Sequence, residues 1–385
     1  MDLHILGSHS VDEFISEYWQ QKPLLIRQAI EGFQTPLTAE ILAGLSLEEG
    51  IRSRLVIEHV EDPVWECRFG PLTEDDFDRL PESKWTLLVQ DVEKHLPEHA
   101  SLLDHFGFLP RWRIEDLMVS YAVDGGSVGP HTDNYDVFLL QASGQRHWQI
   151  QTDSIASDEL LDDIELKILR HFEPDHEWTL NPGDMLYLPS GIAHHGIAAG
   201  ECMTFSIGFR APTRLELLQY FTDQLASSNV QSMYYTDPPD SLTGRRGELD
   251  SASLQRFQEL LRQSLDDSSL LNRAIGGLLT DPTDTPAMFD HDELTLDEFI
   301  SQLTGASSIK VHPAVRSLYM RQQQSIRYFI NSEGYEASPP AADVIMQLID
   351  NYRLSSTLIA TLLADRQAVN ALYRLYLDGG LHFEH

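Results

Sequence analysis

The spacing of apolar positions changes twice along the chain. Between Asp12 and Trp19 they recur at helical intervals, with Phe14, Tyr18 and Trp19 as the side chains to bury. Proline lacks an amide and restricts the residue before it, so Lys22-Pro23 is expected to stop that helix. Leu24-Leu25-Ile26 then reads as a short buried strand, and the first 115 or so residues read mainly as helices and short strands. From Leu117 to Phe209 the pattern shifts to short β-rich runs cut by turn residues. Val137–Gln141 and His147–Gln151 are two such runs, with Ala142-Ser143-Gly144-Gln145 as the hairpin turn expected between them. Asn181-Pro182-Gly183-Asp184 predicts a second turn, followed by strands at Met185–Leu188 and Met203–Phe209. Many short strands joined by tight turns point to a sandwich or barrel such as a double-stranded jelly roll.

After Pro212 the spacing returns to three and four. Leu215–Leu225 and Leu254–Leu279 read as helices, separated by a turn-rich stretch around Asp237-Pro238-Pro239-Asp240 and Thr243-Gly244. Asp281 to Pro286 reads as a linker. Beyond it, helices are expected at Leu294–Leu303, Ala342–Ile349, Thr357–Leu363 and Ala368–Leu377, with a strand around Arg327–Asn331. The boundaries predict three parts, at residues 1–212, 213–290 and 291–385. The leucines at 215, 217 and 218 with Phe221, continued by those at 260, 261, 265, 270 and 271, make an apolar face wider than one helix needs. A homodimer through residues 213–280 is expected from it.

Composition narrows the function. The net charge is −33 over 385 residues, and −23 of it lies in residues 1–212. Phosphate needs Lys and Arg as counter-charge, so direct nucleic-acid binding is not expected, and a basic partner is. The two cysteines, Cys67 and Cys202, allow neither a disulfide framework nor a zinc ribbon. No secretory leader opens the sequence and no apolar window is long enough to span a membrane, so a cytoplasmic protein is expected.

Candidate chemistry centres on Gly129-Pro130-His131-Thr132-Asp133-Asn134-Tyr135-Asp136. In an extended strand, His131 and Asp133 project to the same face, and both are ligands for a divalent transition metal. With sixteen histidines in the chain, His-X-Asp alone is a weak signal. A third ligand is offered by the run from Pro182 to His195, which reads as turn, strand, tight turn and then histidine. His194 and His195 point to opposite faces in extended backbone, and His194 is taken as the ligand. Two histidines and a carboxylate leave open positions suited to non-haem Fe(II) oxygenases. Arg146 follows Gly144 and offers a fixed charge with a planar fork, as a cosubstrate carboxylate in a dry pocket would require.

Together with Glu17–Leu24, Arg113–Met118, Gly183–Pro189, Ser206–Pro212 and Tyr234–Pro238, these segments resemble the JmjC/cupin-type ribosomal oxygenases. The likeness is dense to about residue 240, and it points to the bacterial branch that hydroxylates an arginine of a large-subunit ribosomal protein. The resemblance implies a mixed α+β chain. A JmjC/cupin jelly roll (double-stranded β-helix) would come first, then a helical dimerisation segment and a winged-helix-like C-terminal domain. It implies Fe(II) on His131, Asp133 and His194, 2-oxoglutarate on Arg146 with help from Ser120, and dioxygen as oxidant. Asp116, Tyr135 and Ser206 match positions lining the pocket for the target arginine. The expected reaction is hydroxylation of the arginine β-carbon, with ribosomal protein sixteen of the large subunit as target. From the residues alone, Asp116 could instead cap a turn, Tyr135 could be core and Ser206 a buried strand residue. His195 stands where relatives often carry an acid. The alternatives are a related oxygenase acting on His or methyl-Lys, and a non-catalytic cupin binding protein.

Overall fold

The computed structural model describes residues 4–59, 64–153, 160–161, 165–227, 234–237, 247–282 and 289–384. The chain divides after Ala211 into two compact units.

The first unit is built on one ten-stranded antiparallel system. Its strands are β1 (Leu24–Ile26), β2 (Ser53–Glu58), β3 (Trp65–Phe69), β4 (Trp85–Val89) and β5 (Ile114–Ala122). Then come β6 (His131–Thr132), β7 (Asp136–Gln151), β8 (His176–Leu180), β9 (Met185–Leu188) and β10 (Ala193–Phe209). The long strands β7 and β10 belong to both walls of a roll. Val137–Leu140 pairs with β9 and with the second half of β10, in the order β1-β9-β7-β10-β5-β4-β2-β3. Arg146–Ile150 pairs with β8 and with the first half of β10, whose other neighbour is β6. The major wall packs its outer side on α1 (Val11–Glu17) and α2 (Ala39–Leu47) through Phe14, Leu42, Phe138, Phe205 and Phe209, all buried. This is the jelly roll expected, and it leaves a cavity between the walls.

Several local expectations are corrected. Helix α1 ends at Tyr18, well before Pro23, because Gln20 turns into the left-handed region (φ 59°) and its N–H donates to the Tyr187 hydroxyl at 2.7 Å. Ala142–Gln145 is no hairpin turn, since β7 runs through it without interruption. Gly144 (φ 61°) instead accommodates a bulge, where Glu201 O lies 2.0 Å from any Cβ placed there. Strands β2, β3 and β4, with the short helices α3 (Glu74–Asp78) and α4 (Val92–His95) on either side of β4, occupy the region read as helices and short strands.

In the second unit, α5 (Arg214–Ser227) packs on α7 (Ser268–Leu279) through Phe221, Leu270 and Ala274. The single helix expected over Leu254–Leu279 is two, α6 (Ser251–Leu265) and α7, because the Asp267 carboxylate caps the amides of Ser269 and Leu270 and starts a new helix. The C-terminal part packs α8 (Leu296–Gly305), α9 (Ala341–Asn351), α10 (Ser356–Leu362) and α11 (Arg366–Leu377) against two three-stranded sheets. Of those six strands only the one at Ile326–Ile330 was expected. Most of the turn-rich stretch at 237–244 and of the linker at 281–286 lies outside the described residues.

Candidate active site

The cavity of the roll, counted together with the open solvent at its mouth, offers about 610 Å³ of unfilled space. His131, Asp133, Tyr135, Arg146, His194, Ser120, Asp116 and Ser206 all line it.

Strand β6 is only two residues long, so Asp133 lies one residue beyond its end rather than on the strand. His131 stands directly opposite His194 of β10. Asp133 Oδ2 is 3.9 Å from His131 Nε2 and 3.6 Å from His194 Nε2. The ligating atoms of all three lie within 4.8 Å of one another, which makes them the one such group among the described residues. Each imidazole donates its Nδ1–H to a carbonyl two residues upstream, His131 to Gly129 and His194 to Ile192, both at 3.0 Å. Those bonds fix the tautomer and turn the Nε2 lone pairs toward Asp133. Burial, reinforced by His131, pushes the His194 pKa down to about 4, so it is a neutral donor at neutral pH. The donor set of two imidazoles and one carboxylate fits a divalent first-row metal. His195 takes the opposite face and meets Phe172 edge-on at 6.1 Å.

Arg146 lies in mid-strand in β7 and is only 4 % exposed. Its Nε and Nη2 have no hydrogen-bond partner, and neither has the Trp148 Nε1 beside it. Buried donors left unpaired are costly, and what these lack is an acceptor inside the cavity. A carboxylate fits them. Ser120, buried on β5, sits across from Thr204, whose hydroxyl donates to Gln141 at 3.1 Å.

Asp116 and Tyr135 meet over Gly208. A Cβ at that glycine would lie 3.2 Å from Asp116 Oδ1 and 3.6 Å from Tyr135 Cε2. Burial, with Asp91 next, raises the Asp116 carboxyl to about 7. Burial and the nearby Asp133 hold the Tyr135 phenol above its ordinary range. An acid beside an aromatic ring, floored by a residue without a side chain, suits a flat cation such as a guanidinium.

Sequence reasoning missed Thr204, Gly208 and Arg54 among the lining residues. Thr204, Ser206 and Gly208 are small or polar at every second position of an otherwise apolar strand, a signal readable as one face of β10 turned toward a site. Arg54 carried no local signal.

Comparison with known proteins places this geometry. A JmjC domain matches residues 101–217, and a ROXA-like winged helix matches residues 261–382. The chain is 31 % identical over 309 residues to the ribosomal protein uL16 3-hydroxylase of Escherichia coli K12, covering 78 % of this chain and 82 % of that protein. It is 37 % identical over 269 residues to a probable ribosomal oxygenase of Haemophilus influenzae, covering 68 % and 66 % respectively. The solved structure of the Escherichia coli ribosomal oxygenase YcfD with cobalt and 2-oxoglutarate superposes with a TM-score of 0.85 at 28 % identity, covering 98 % of this chain and 99 % of that one.

Proposed function

Since the chain belongs to the JmjC-domain ribosomal oxygenases, and is thereby a 2-oxoglutarate-dependent hydroxylase using Fe(II) and dioxygen, we propose that it hydroxylates an arginine of a large-subunit ribosomal protein. The expected target is uL16 and the expected position is the arginine β-carbon. The observation that carries this proposal is the convergence of Asp116 and Tyr135 over Gly208 in the cavity that also holds His131, Asp133 and His194.

In this proposal His131, Asp133 and His194 hold the iron, each through one atom. Arg146 holds the distal carboxylate of 2-oxoglutarate, with Trp148 Nε1 as a second donor and the Ser120 hydroxyl close by. When bound, the iron, cosubstrate and dioxygen replace an unactivated C–H bond by C–OH, with succinate and carbon dioxide as co-products. The residues of the chain supply geometry and dryness. Asp116 neutralises the target guanidinium, Tyr135 packs along its stem, and Ser206 offers an acceptor. A neutral histidine target would have no need of the Asp116 carboxylate, which favours arginine over the histidyl alternative.

The enzyme is further proposed to act in the cytoplasm, where ribosomal proteins are met. No described helix is long and apolar enough to cross a membrane. A homodimer through the helical segment is also proposed, with residues 1–212, 213–290 and 291–385 as its three working parts. Leu254, Phe257, Leu261 and Leu265 form an exposed stripe along α6, Leu261 being 70 % accessible. Such a stripe on a helix otherwise rich in polar residues calls for a partner surface.

The test is steady-state turnover of a uL16 peptide by the Asp116→Asn enzyme. kcat/KM for the peptide should fall by about a hundredfold, as expected when a charged partner is lost in a dry site, while the KM for 2-oxoglutarate stays unchanged. Unchanged peptide kinetics would remove the guanidinium pocket.

A further inference from the structure

The inner face of the major wall does not stop at the pocket. Thr204 on β10 stands opposite Ser120 on β5, Ser120 opposite Leu88 on β4, Leu88 opposite Arg54 on β2, and Arg54 opposite Phe69 on β3. Residues directly opposite in antiparallel strands share a face. These five side chains therefore form one row, starting in the metal cavity and ending on β3, the last strand of the sheet. The first four line the cavity, and Phe69 lies beyond it, 55 % exposed. Trp65 and Cys67 alternate with it and pack on Val56 and Leu88, which fixes the face that Phe69 shares.

Two features of this row have no use in holding the fold. Arg54 is half-buried and has no hydrogen-bond or ion-pair partner among the described residues, although this unit is strongly acidic. A guanidinium at the entrance of a pocket for another guanidinium is unfavourable unless it meets acceptors of its own. Phe69 leaves a large ring exposed on β3, the last strand of this sheet among the described residues, which marks a contact surface. Thr204, Ser120 and Leu88 are buried, with Leu166 and Ile168 packed beside Leu88, so only the Arg54–Phe69 end of the row, on two strands about 4.8 Å apart, is open to a bound chain.

We propose that one flank of the target polypeptide crosses the open end of this row, with main-chain carbonyls on the Arg54 guanidinium and an apolar side chain on the Phe69 ring. This inference rests on the arginine-hydroxylase proposal above. It makes Arg54 and Phe69 substrate-positioning residues outside the reacting centre. A basic protein segment is suited to the row, because its backbone carbonyls satisfy Arg54 while its charges face the acidic surroundings. The row leaves the pocket in one direction only, so only one flank of the target arginine is held by it.

The experiment uses full-length enzyme with Fe(II) and 2-oxoglutarate, and uL16 peptides extending about ten residues to either side of the hydroxylated arginine, longer than the row on both flanks. Arg54→Ala and Phe69→Ala should each raise the peptide KM by about five- to tenfold, the usual effect of a lost charged hydrogen bond or buried ring. kcat and the KM for 2-oxoglutarate should stay at the values of the unmodified enzyme. Arg54→Lys and Phe69→Leu should restore part of the loss. Cutting the peptide back on one flank should erase the difference between variants and unmodified enzyme, and cutting it on the other should not. An unchanged or lowered peptide KM in Arg54→Ala would overturn the row, the lowered value meaning that Arg54 merely repels the target. Equal sensitivity to both truncations would also overturn it. Failure of the unmodified enzyme to turn over either full peptide would instead remove the substrate proposal on which the row depends.

Discussion

His131 and His194 stand directly opposite each other across β6 and β10, with ring centroids 4.3 Å apart. The proposed metal centre is thus set by ladder register. Sliding β10 by one residue would turn His194 to the outer face and bring His195 in, so the geometry of the site is inseparable from the pairing of the long strand. The same strand contributes Thr204, Ser206 and Gly208 to the other end of the cavity.

Arg146→Ala should leave the metal affinity largely intact and cost about 3–5 kcal/mol of 2-oxoglutarate binding, the usual loss when one member of a buried charge pair is removed. Arg146→Lys should be intermediate, since an ammonium cannot reproduce the fork. Calorimetric titration of the metal-loaded variants with 2-oxoglutarate checks this, and an unchanged affinity in Arg146→Ala would contradict it.

Gly208→Ala should narrow the target pocket without touching the cosubstrate. The added methyl would lie 3.2 Å from Asp116 Oδ1, tighter than ordinary contact. Peptide KM should rise several-fold, while succinate formation in the absence of peptide is unaltered. Parallel loss of both activities would mean that the substitution disturbs the roll as a whole.

Glu93 predicts a pH-dependent stability. It is 3 % exposed, and its carboxylate accepts the Leu117 amide at 2.9 Å. Burial, with Asp116 and Asp91 adding against the opposite pull of Lys94, raises its pKa to about 8. A carboxyl whose folded pKa lies above its unfolded value contributes stability at low pH, and loses it as pH rises through the folded pKa. The Tm should therefore decline as pH rises from the ordinary carboxylate range through about 8, and the decline should be shallower in Glu93→Gln. Thermal melts of both proteins across that range decide it, and parallel curves would mean that Glu93 does not carry the proton.

Leu261→Glu should convert the proposed dimer to a monomer by placing a charge in the exposed stripe of α6. Sedimentation of the unmodified protein should give twice the 43.7 kDa chain mass, and the variant should give a single chain mass. A monomeric unmodified protein would dispose of the interface.

How much of this was legible in the sequence depends on how local each feature is. His131 and Asp133 are neighbours in sequence, and His194 follows a recognisable turn and strand, so their meeting could be anticipated. The bulge at Gly144 could not, because it is set by Glu201 and Cys202 on the partner strand, while the residues around it look like a hairpin turn. Strand β2, Ser-Arg-Leu-Val-Ile-Glu, falls in a region read as helices and short strands but is hard to place individually, because burial on both faces at Leu55, Val56 and Ile57 blurs its alternation. Helices α6 and α7 were merged because an unbroken apolar rhythm outweighs a short Asp-Asp step, although Asp267 is a good N-cap. Arg54 and Phe69 acquire meaning only from the register of five strands.

The central claim is hydroxylation of an arginine in a ribosomal protein, and tandem mass spectrometry tests it most directly. Large-subunit ribosomal proteins lacking the modification would be incubated with the enzyme, Fe(II), 2-oxoglutarate and isotopically labelled dioxygen. The predicted result is one labelled oxygen on the β-carbon of a single arginine of uL16, absent when Asp133→Ala enzyme is used. Label on a histidine, loss of a methyl group from a lysine, or no modification of any ribosomal protein would contradict it.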